Sequence, residues 1–190
     1  MVHNEITWSG PFAWPSFENS NKLNSLPQTH GVYLQTFEYE TGYLIYAAGI
    51  TRRTIAARFK EHTKKYLDGD YNVLDVNAVK KGIRKEIWHG WDYARKHRKE
   101  FQGKKARILR AVQKQLAAFC IFIAETSEKS RFPERLEAAI MNSLYKQIPP
   151  LCTIPDQGMF LAPRRDSEDP IVVRNICQHT LYGLSEFLEI

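Results

Sequence analysis

The sequence is poor in cysteine and has no long hydrophobic run. Its 190 residues include only Cys120, Cys152 and Cys177, and none of them forms a C-x-x-C pair. This spacing is typical of neither a structural zinc site nor a disulfide framework, so we expect reduced thiols. No apolar run approaches the roughly eighteen residues that a membrane-spanning helix needs. The N-terminal residues lack the basic and apolar segments of a secretory leader, so we expect a cytoplasmic protein with no membrane partner.

Several common catalytic motifs are also absent. The chain has no Walker loop, no G-x-G-x-x-G and no G-x-S-x-G, and it contains neither an internal repeat nor a low-complexity segment. Its size suits one domain with a sizeable core, or such a core with a modest insertion.

The sequence does contain a concentrated positive charge. The formal net charge is +6, and the stretch from Lys80 to Arg110 holds twelve Lys or Arg against three acids, so this stretch carries +9 and the remainder −3. A solvated helix face is the alternative interpretation, but such a face mixes both signs, whereas a polyanion-binding surface concentrates one. The residues that we expect to bind nucleic acid are Lys80, Lys81, Arg84, Lys85, Arg95, Lys96, Arg98, Lys99, Lys104 and Lys105.

The rest of the chain is organised around residues 31–62. Two β-prone apolar runs, residues 32–37 and 43–46, enclose a polar turn and predict a β-hairpin. Thr51 or Thr54 is the candidate cap of a helix that follows directly. Arg58 and His62 are four residues apart on that helix, so both project from one face beside the hairpin.

These residues, taken in order, resemble the core of the GIY-YIG endonucleases. Gly-Val-Tyr stands at residues 31–33, a strand containing Tyr46 ends at Gly49, and Arg58 and His62 follow. The second signature is one residue longer than Tyr-X-Gly, because residues 46–49 read Tyr-Ala-Ala-Gly. Either Tyr46 reaches the site from a bulged strand, or Ala47 occupies its slot.

The resemblance implies an α/β (α+β) fold with a small three-stranded sheet of antiparallel type flanked by helices. The domain would cover residues 26–155 and carry the basic insertion at about residues 64–115. Residues 1–25 would form an arm, and residues 156–190 would form an extension packed on the core. The arm's composition favours irregular backbone, with Trp8 and Trp14 packed on the core or, alternatively, stacked on bases.

Periodicity predicts the remaining elements. Short strands are expected at residues 71–75 and 85–88, a buried strand at 118–124 and a strand at 171–173. Helices are expected at residues 91–118, interrupted near Gly103, at 131–147 with Pro133 in the first turn, and at 181–188.

Glu137 is the candidate metal ligand. It lies beside the apolar stripe of Leu136, Ile140 and Leu144, so it leans toward the protein and needs a cation as partner. Glu134, one turn earlier, is the exposed alternative. The resemblance assigns Glu137 to one Mg²⁺ or Mn²⁺ ion, and Cys152 or Thr153 stands where many members have an Asn.

The resemblance also assigns the other catalytic roles. Arg58 would contact the scissile phosphate, and Tyr33 would contact the attacking water. His62 would relay the proton, and Tyr46 would add a second hydroxyl group. The expected function is therefore that of a metal-dependent DNA endonuclease that leaves 5′-phosphate and 3′-hydroxyl ends. A catalytically silent nucleic-acid-binding module and a domain that binds an acidic protein are the alternatives. RNA as substrate, the target site and the oligomeric state stay open.

Overall fold

The computed structural model describes residues 2–126 and 131–190 and is built on a seven-stranded mixed sheet. The strands are β1 (Val2–Ala13), β2 (Gly31–Tyr39), β3 (Gly42–Thr51), β4 (Val73–Leu74), β5 (Glu86–Trp88), β6 (Phe119–Glu125), β7 (Ile171–Cys177), β8 (Leu181–Tyr182) and β9 (Phe187–Glu189). The helices are α1 (Glu18–Asn21), α2 (Ile55–Leu67), α3 (Val76–Val79), α4 (Trp91–Lys96), α5 (Arg98–Ala118) and α6 (Phe132–Tyr145).

The prediction of a small three-stranded sheet is wrong. The strand order is β8-β3-β2-β6-β1-β7-β9, with parallel pairing in β1–β7 and β3–β8 and antiparallel pairing elsewhere in this sheet. The hairpin β2–β3 and the buried strand β6 are adjacent as predicted, but four further strands extend their sheet on both sides. These four come from the two ends of the chain, where the sequence predicted little strand.

The N-terminal segment is the main source of this error. Predicted to be irregular, it forms the twelve-residue strand β1, which lies between β6 and β7. Ile6 and Trp8 are buried while Glu5, Thr7 and Ser9 are exposed, an alternation with the period of two that defines a half-buried strand. The sequence contained this signal, but the nearby Gly10 and Pro11 obscured it.

The predicted helix at residues 181–188 is also wrong. The segment forms the two short strands β8 and β9, joined through Gly183 at φ +95°, a conformation that a helix cannot contain. Isolated apolar spacing at three or four residues does not distinguish a short helix from two strands joined by a turn.

Several other predicted elements are confirmed. Thr54 caps α2, since its hydroxyl accepts a hydrogen bond from the Ala57 amide at 3.4 Å, and Pro133 lies in the first turn of α6. The two short strands β4 and β5 pair with each other. The long helix is interrupted, but the break between α4 and α5 falls at His97 and not near Gly103.

The seven-stranded sheet separates two hydrophobic cores. One contains Trp14, Phe37, Phe59 and Phe119 and is covered by α2 and α5. The other core lies under α6, whose buried stripe includes the predicted Leu136, Ile140 and Leu144 together with Met141. Trp8 and Trp14 are 2% and 0% exposed, so both are packing residues. Within the described residues, no helix combines the length and apolarity that a membrane crossing requires.

Candidate active site

A pocket of about 180 Å³ lies at the free edge of β3. β8 pairs with β3 only at Tyr43 and Leu44, so the rest of β3 has no strand neighbour on that side. The five candidate catalytic residues, Tyr33, Tyr46, Arg58, His62 and Glu137, all line this pocket. Residues that are far apart in the sequence therefore meet in one cavity.

A β-bulge brings Tyr46 to the pocket. Gln35 pairs with Ala47 and Thr36 pairs with Ile45, so Tyr46 is the extra residue of β3. A bulge of this kind turns two consecutive side chains toward one face, and Tyr46 and Ala47 both lie in the core on the pocket side. The additional alanine of the Tyr-Ala-Ala-Gly segment is thus accommodated without turning the tyrosine away. Burial raises the pKa of the Tyr46 hydroxyl well above its usual value.

Three aromatic residues form a hydrogen-bonded chain along one wall. The Tyr33 hydroxyl lies 2.6 Å from Nε2 of His62, and Nδ1 of His62 lies 3.2 Å from the Tyr71 hydroxyl. Burial, together with the nearby Arg58 cation, lowers the pKa of His62 to about 3, so the imidazole is neutral at pH 7. A neutral imidazole donates through one nitrogen and accepts through the other. If Nδ1 donates to Tyr71, Nε2 is free to accept the proton of Tyr33.

Burial also keeps the proton on Tyr33. It raises the pKa of this phenol, while the Arg58 guanidinium opposes the shift. Tyr33 is only 2% exposed, and its ring packs edge-on against Phe59. A second positive charge near the phenol oxygen would therefore be needed to release this proton at neutral pH.

Arg58 faces the pocket with unused hydrogen-bonding capacity. One terminal nitrogen lies 3.4 Å from a carboxylate oxygen of Glu61, but Nε is buried without a hydrogen-bond partner in the described part of the chain. An unsatisfied buried donor of a cation is costly, by about 1–3 kcal/mol or more. Because Arg58 also lines the pocket, its guanidinium supplies a positive charge there that suits an incoming anion.

The edge of β3 positions Glu137. Met141 lies one turn further along α6, and its sulfur accepts a hydrogen bond from the Ala48 amide at 3.1 Å. Because residues four apart share a helix face, this contact aligns Glu137 with the pocket. Burial raises the pKa of the Glu137 carboxyl to about 7, and Glu134 adds to the shift while Arg58 opposes it. The predicted alternative, Glu134, instead pairs with Arg52 at 2.6 Å outside the pocket.

Glu137 has no hydrogen-bond or ion-pair partner among residues 2–126 and 131–190. A partly buried carboxylate without a partner suits a cation, and Mg²⁺ binds through one or two carboxylates while it keeps several waters. The donor chemistry of Glu137 therefore fits the Mg²⁺ or Mn²⁺ ion that the resemblance implies. Within the same described ranges, no group of three or more His, Cys, Asp or Glu is arranged around a common point.

Sequence reasoning missed Asp156 as a pocket residue. Neither Cys152 nor Thr153 lines the pocket, whereas Asp156 does, and its amide donates to the Tyr46 carbonyl at 2.8 Å. Its carboxylate accepts hydrogen bonds from Asn72 at 2.9 Å and from the Trp91 indole at 3.4 Å. The position directly after Pro155 was an available signal. Tyr71 carried no such signal, because only the tertiary fold brings it to His62.

The predicted nucleic-acid-binding residues divide into two groups. Six are in ion pairs: Lys80 with Glu38, Arg84 with Glu86, Lys85 with Asp75, Arg95 with Asp92, Arg98 with Asp70 and Lys104 with Glu100. Lys81, Lys96, Lys99 and Lys105 have no ion-pair partner in the described part of the chain. Arg84 additionally donates to the carbonyls of residues 153–155 and so holds the loop that carries Asp156.

Comparison with known proteins adds no relative. No protein-family model, no curated protein and no solved structure matches this chain. The resemblance to GIY-YIG endonucleases therefore rests on the order of the residues in the sequence alone.

Proposed function

We propose that this protein is a divalent-metal-dependent DNA endonuclease that hydrolyses phosphodiester bonds in the pocket at the edge of β3. One observation carries the proposal. The Tyr33 hydroxyl contacts His62 at 2.6 Å in the same pocket where Arg58 keeps an unsatisfied donor and Glu137 keeps an unpaired carboxylate. A proton-transfer pair, an anion-binding cation and a cation-binding carboxylate are what this hydrolysis needs.

Glu137 would hold the metal ion. When bound, such an ion supplies positive charge that stabilises the phosphoryl oxygens and lowers the pKa of nearby hydroxyl groups. Arg58 would bind a non-bridging oxygen of the scissile phosphate, because its planar fork matches phosphate geometry and negative charge grows there in the transition state.

Tyr33 and His62 would move the proton. A water oxygen bonds to phosphorus, the bond from phosphorus to the 3′-oxygen breaks, and the water gives its proton to the Tyr33 oxygen as the phenol proton passes to Nε2 of His62. The resulting imidazolium returns its proton to the leaving oxygen through solvent. Burial and the Arg58 cation keep the pKa of His62 low in the free protein, so a phosphate bound to Arg58 would raise the proton affinity of His62.

The unpaired cations Lys81, Lys96, Lys99 and Lys105 would bind the DNA backbone in preference to the six cations that already pair with acids. Contacts of this kind are independent of sequence and weaken steeply with salt.

A catalytically silent nucleic-acid-binding module is the second candidate. Its support is that burial raises the pKa of both Tyr33 and Tyr46, so both phenols are protonated unless a further positive charge is present. It predicts salt-sensitive DNA binding without cleavage.

Nicking of supercoiled plasmid tests the proposal. The protein is incubated with plasmid in Mg²⁺, in Mn²⁺ and in EDTA, alongside Glu137→Ala and Tyr33→Phe. Cleavage that requires metal and is lost in both variants supports the nuclease. Equal nicking by all three proteins assigns the activity to a contaminant and removes the proposal.

A further inference from the structure

A second cleft, of about 950 Å³, lies between α5 and the α3 region and shares no lining residue with the candidate active site. One wall is formed by Arg107, Arg110 and Lys114 of α5, and Ala111 and Ala118 of the same helix also line the cleft. The cations are spaced three and four residues apart, so they form a row along one helix face.

The core fixes the orientation of this row. Ile108, Val112 and Leu116 on the opposite side of α5 are at most 1% exposed. Gln115 holds the helix as well, since its side-chain oxygen accepts a hydrogen bond from the Leu74 amide at 2.6 Å. The helix therefore cannot rotate to direct the cationic row elsewhere without opening the core.

Among the described residues that line the cleft, only the row of cations on α5 carries charge that no acid neutralises. The acids that line the cleft, Glu38 and Asp75, pair with Lys80 at 2.7 Å and with Lys85 at 3.3 Å. Arg107, Arg110 and Lys114 are exposed and have no ion-pair partner among the residues that the structure describes. Three positive charges thus lie within roughly 10 Å of helix length.

We propose that this cleft is a non-catalytic binding site for the phosphate backbone of a nucleic acid strand. An extended row of cations matches a ligand with repeated charges better than a single compact anion, and two of the three cations are arginines, whose forks bind phosphate in two-point geometry. The lining contains no aromatic side chain, so the cleft offers no stacking surface for bases and binds without sequence preference. The choice of nucleic acid as the ligand rests on the proposed function. The presence of the cleft and its positive charge do not depend on it.

Binding without cleavage tests this inference. The triple variant Arg107→Gln, Arg110→Gln, Lys114→Gln is compared with Arg164→Gln, Arg174→Gln, Lys65→Gln, which removes the same charges from paired cations outside the predicted nucleic-acid-binding residues. The affinity for fluorescently labelled DNA is measured in EDTA at several salt concentrations, with thermal unfolding as a check on folding.

The cleft variant is expected to bind DNA at least tenfold more weakly at low salt. Its slope of log affinity against log salt should fall by about 2 to 3, because each lost phosphate contact contributes about 0.9 on duplex DNA. The matched variant should bind within about twofold of wild type. Equal losses in both variants, or unchanged DNA affinity with weakened binding of polyglutamate, would overturn the inference; the second result would indicate an acidic protein partner.

Cleavage at saturating DNA separates this inference from the proposed function. If the cleft variant binds weakly but cleaves at the wild-type maximal rate, both stand. If wild type never cleaves but the cleft variant still loses affinity and salt dependence, the nuclease proposal fails and the cleft remains a nucleic-acid site. If wild type cleaves and the cleft variant binds as wild type does, the cleft proposal alone fails.

Discussion

Gly49 lies directly opposite Tyr33 in the β2–β3 pairing, and the Tyr33 hydroxyl occupies the space next to its Cα. A Cβ at position 49 would stand 2.3 Å from the Tyr33 oxygen. The glycine that ends the Tyr-Ala-Ala-Gly segment therefore allows the tyrosine ring to lie across β3 and reach His62.

Gly49→Ala should displace the Tyr33 ring from His62. We expect destabilisation by about 1–3 kcal/mol from overpacking, together with loss of cleavage. Gly103→Ala is the matched control, because nothing lies within 4 Å of the added Cβ on α5, and it should stabilise by about 0.5–1 kcal/mol. Chemical denaturation and plasmid nicking measure both effects. A Gly49→Ala protein with wild-type stability and activity would contradict the packing described for Tyr33.

Tyr33→Phe should reduce cleavage by at least about 100-fold, since it removes the group that exchanges a proton with His62. The ring and its packing on Phe59 remain, but the buried Nε2 of His62 loses its partner, so the free energy of unfolding should fall by about 1–3 kcal/mol. Tyr39→Phe, the same change on the same strand but outside the pocket, is the control. Single-turnover cleavage rates provide the comparison, and similar rates for the two variants would exclude Tyr33 from the chemistry.

Arg58→Lys should retain DNA affinity to within a few-fold but reduce the cleavage rate by about 100-fold or more. Lysine keeps the charge and loses the planar fork and the Nε donor that has no partner in the described residues. Arg53→Lys is the matched control, because Arg53 pairs with Glu61 at 2.8 Å and does not line the pocket. An equal decrease in binding and in rate would indicate that Arg58 contacts DNA without acting on the transition state.

Metal dependence should vary with pH through Glu137. Its pKa is raised to about 7, so the carboxyl is mostly protonated at pH 6 and mostly ionised at pH 8. Because only the ionised form binds a cation, the Mg²⁺ concentration for half-maximal cleavage should fall about tenfold between these pH values. Mg²⁺ titrations at each pH measure this concentration. A value independent of pH would remove Glu137 as the ligand.

Glu137→Gln should stabilise the metal-free protein at pH 8. The folded-state pKa lies above the unfolded value of 4.5, so the ionised carboxylate destabilises the fold by an amount that grows as pH rises from 4.5 to 7. A shift of this size corresponds to at most about 3 kcal/mol, and solvent screening of a partly exposed group reduces it. Thermal unfolding in EDTA should show a higher melting temperature than wild type at pH 8 and little difference at pH 4. Glu134→Gln should not reproduce this, because it breaks the ion pair with Arg52.

The elements that carry most of the candidate side chains were predictable because they depend on local pattern. The hairpin, the Thr54 cap and the helical spacing of Arg58 and His62 are set by residues close together in the chain. The inward direction of Glu137 follows from its position beside the apolar stripe of α6. Local pattern did not decide whether Tyr46 or Ala47 faces the site, because a bulge depends on the register of two strands, and register is a property of the pair.

By itself, the sequence determined the concentration of positive charge, the elements that carry the candidate side chains and the order in which they follow. Tertiary structure alone decided that the sheet has seven strands, that Tyr71 and Asp156 join the pocket, and that six of the ten predicted DNA-binding cations are paired while Arg107, Arg110 and Lys114 are not. The physical reason is the separation along the chain between the residues that interact. Helix faces and turns are specified by neighbours within a few residues, whereas strand partners, pocket walls and ion pairs join residues whose separation along the chain leaves no periodic trace.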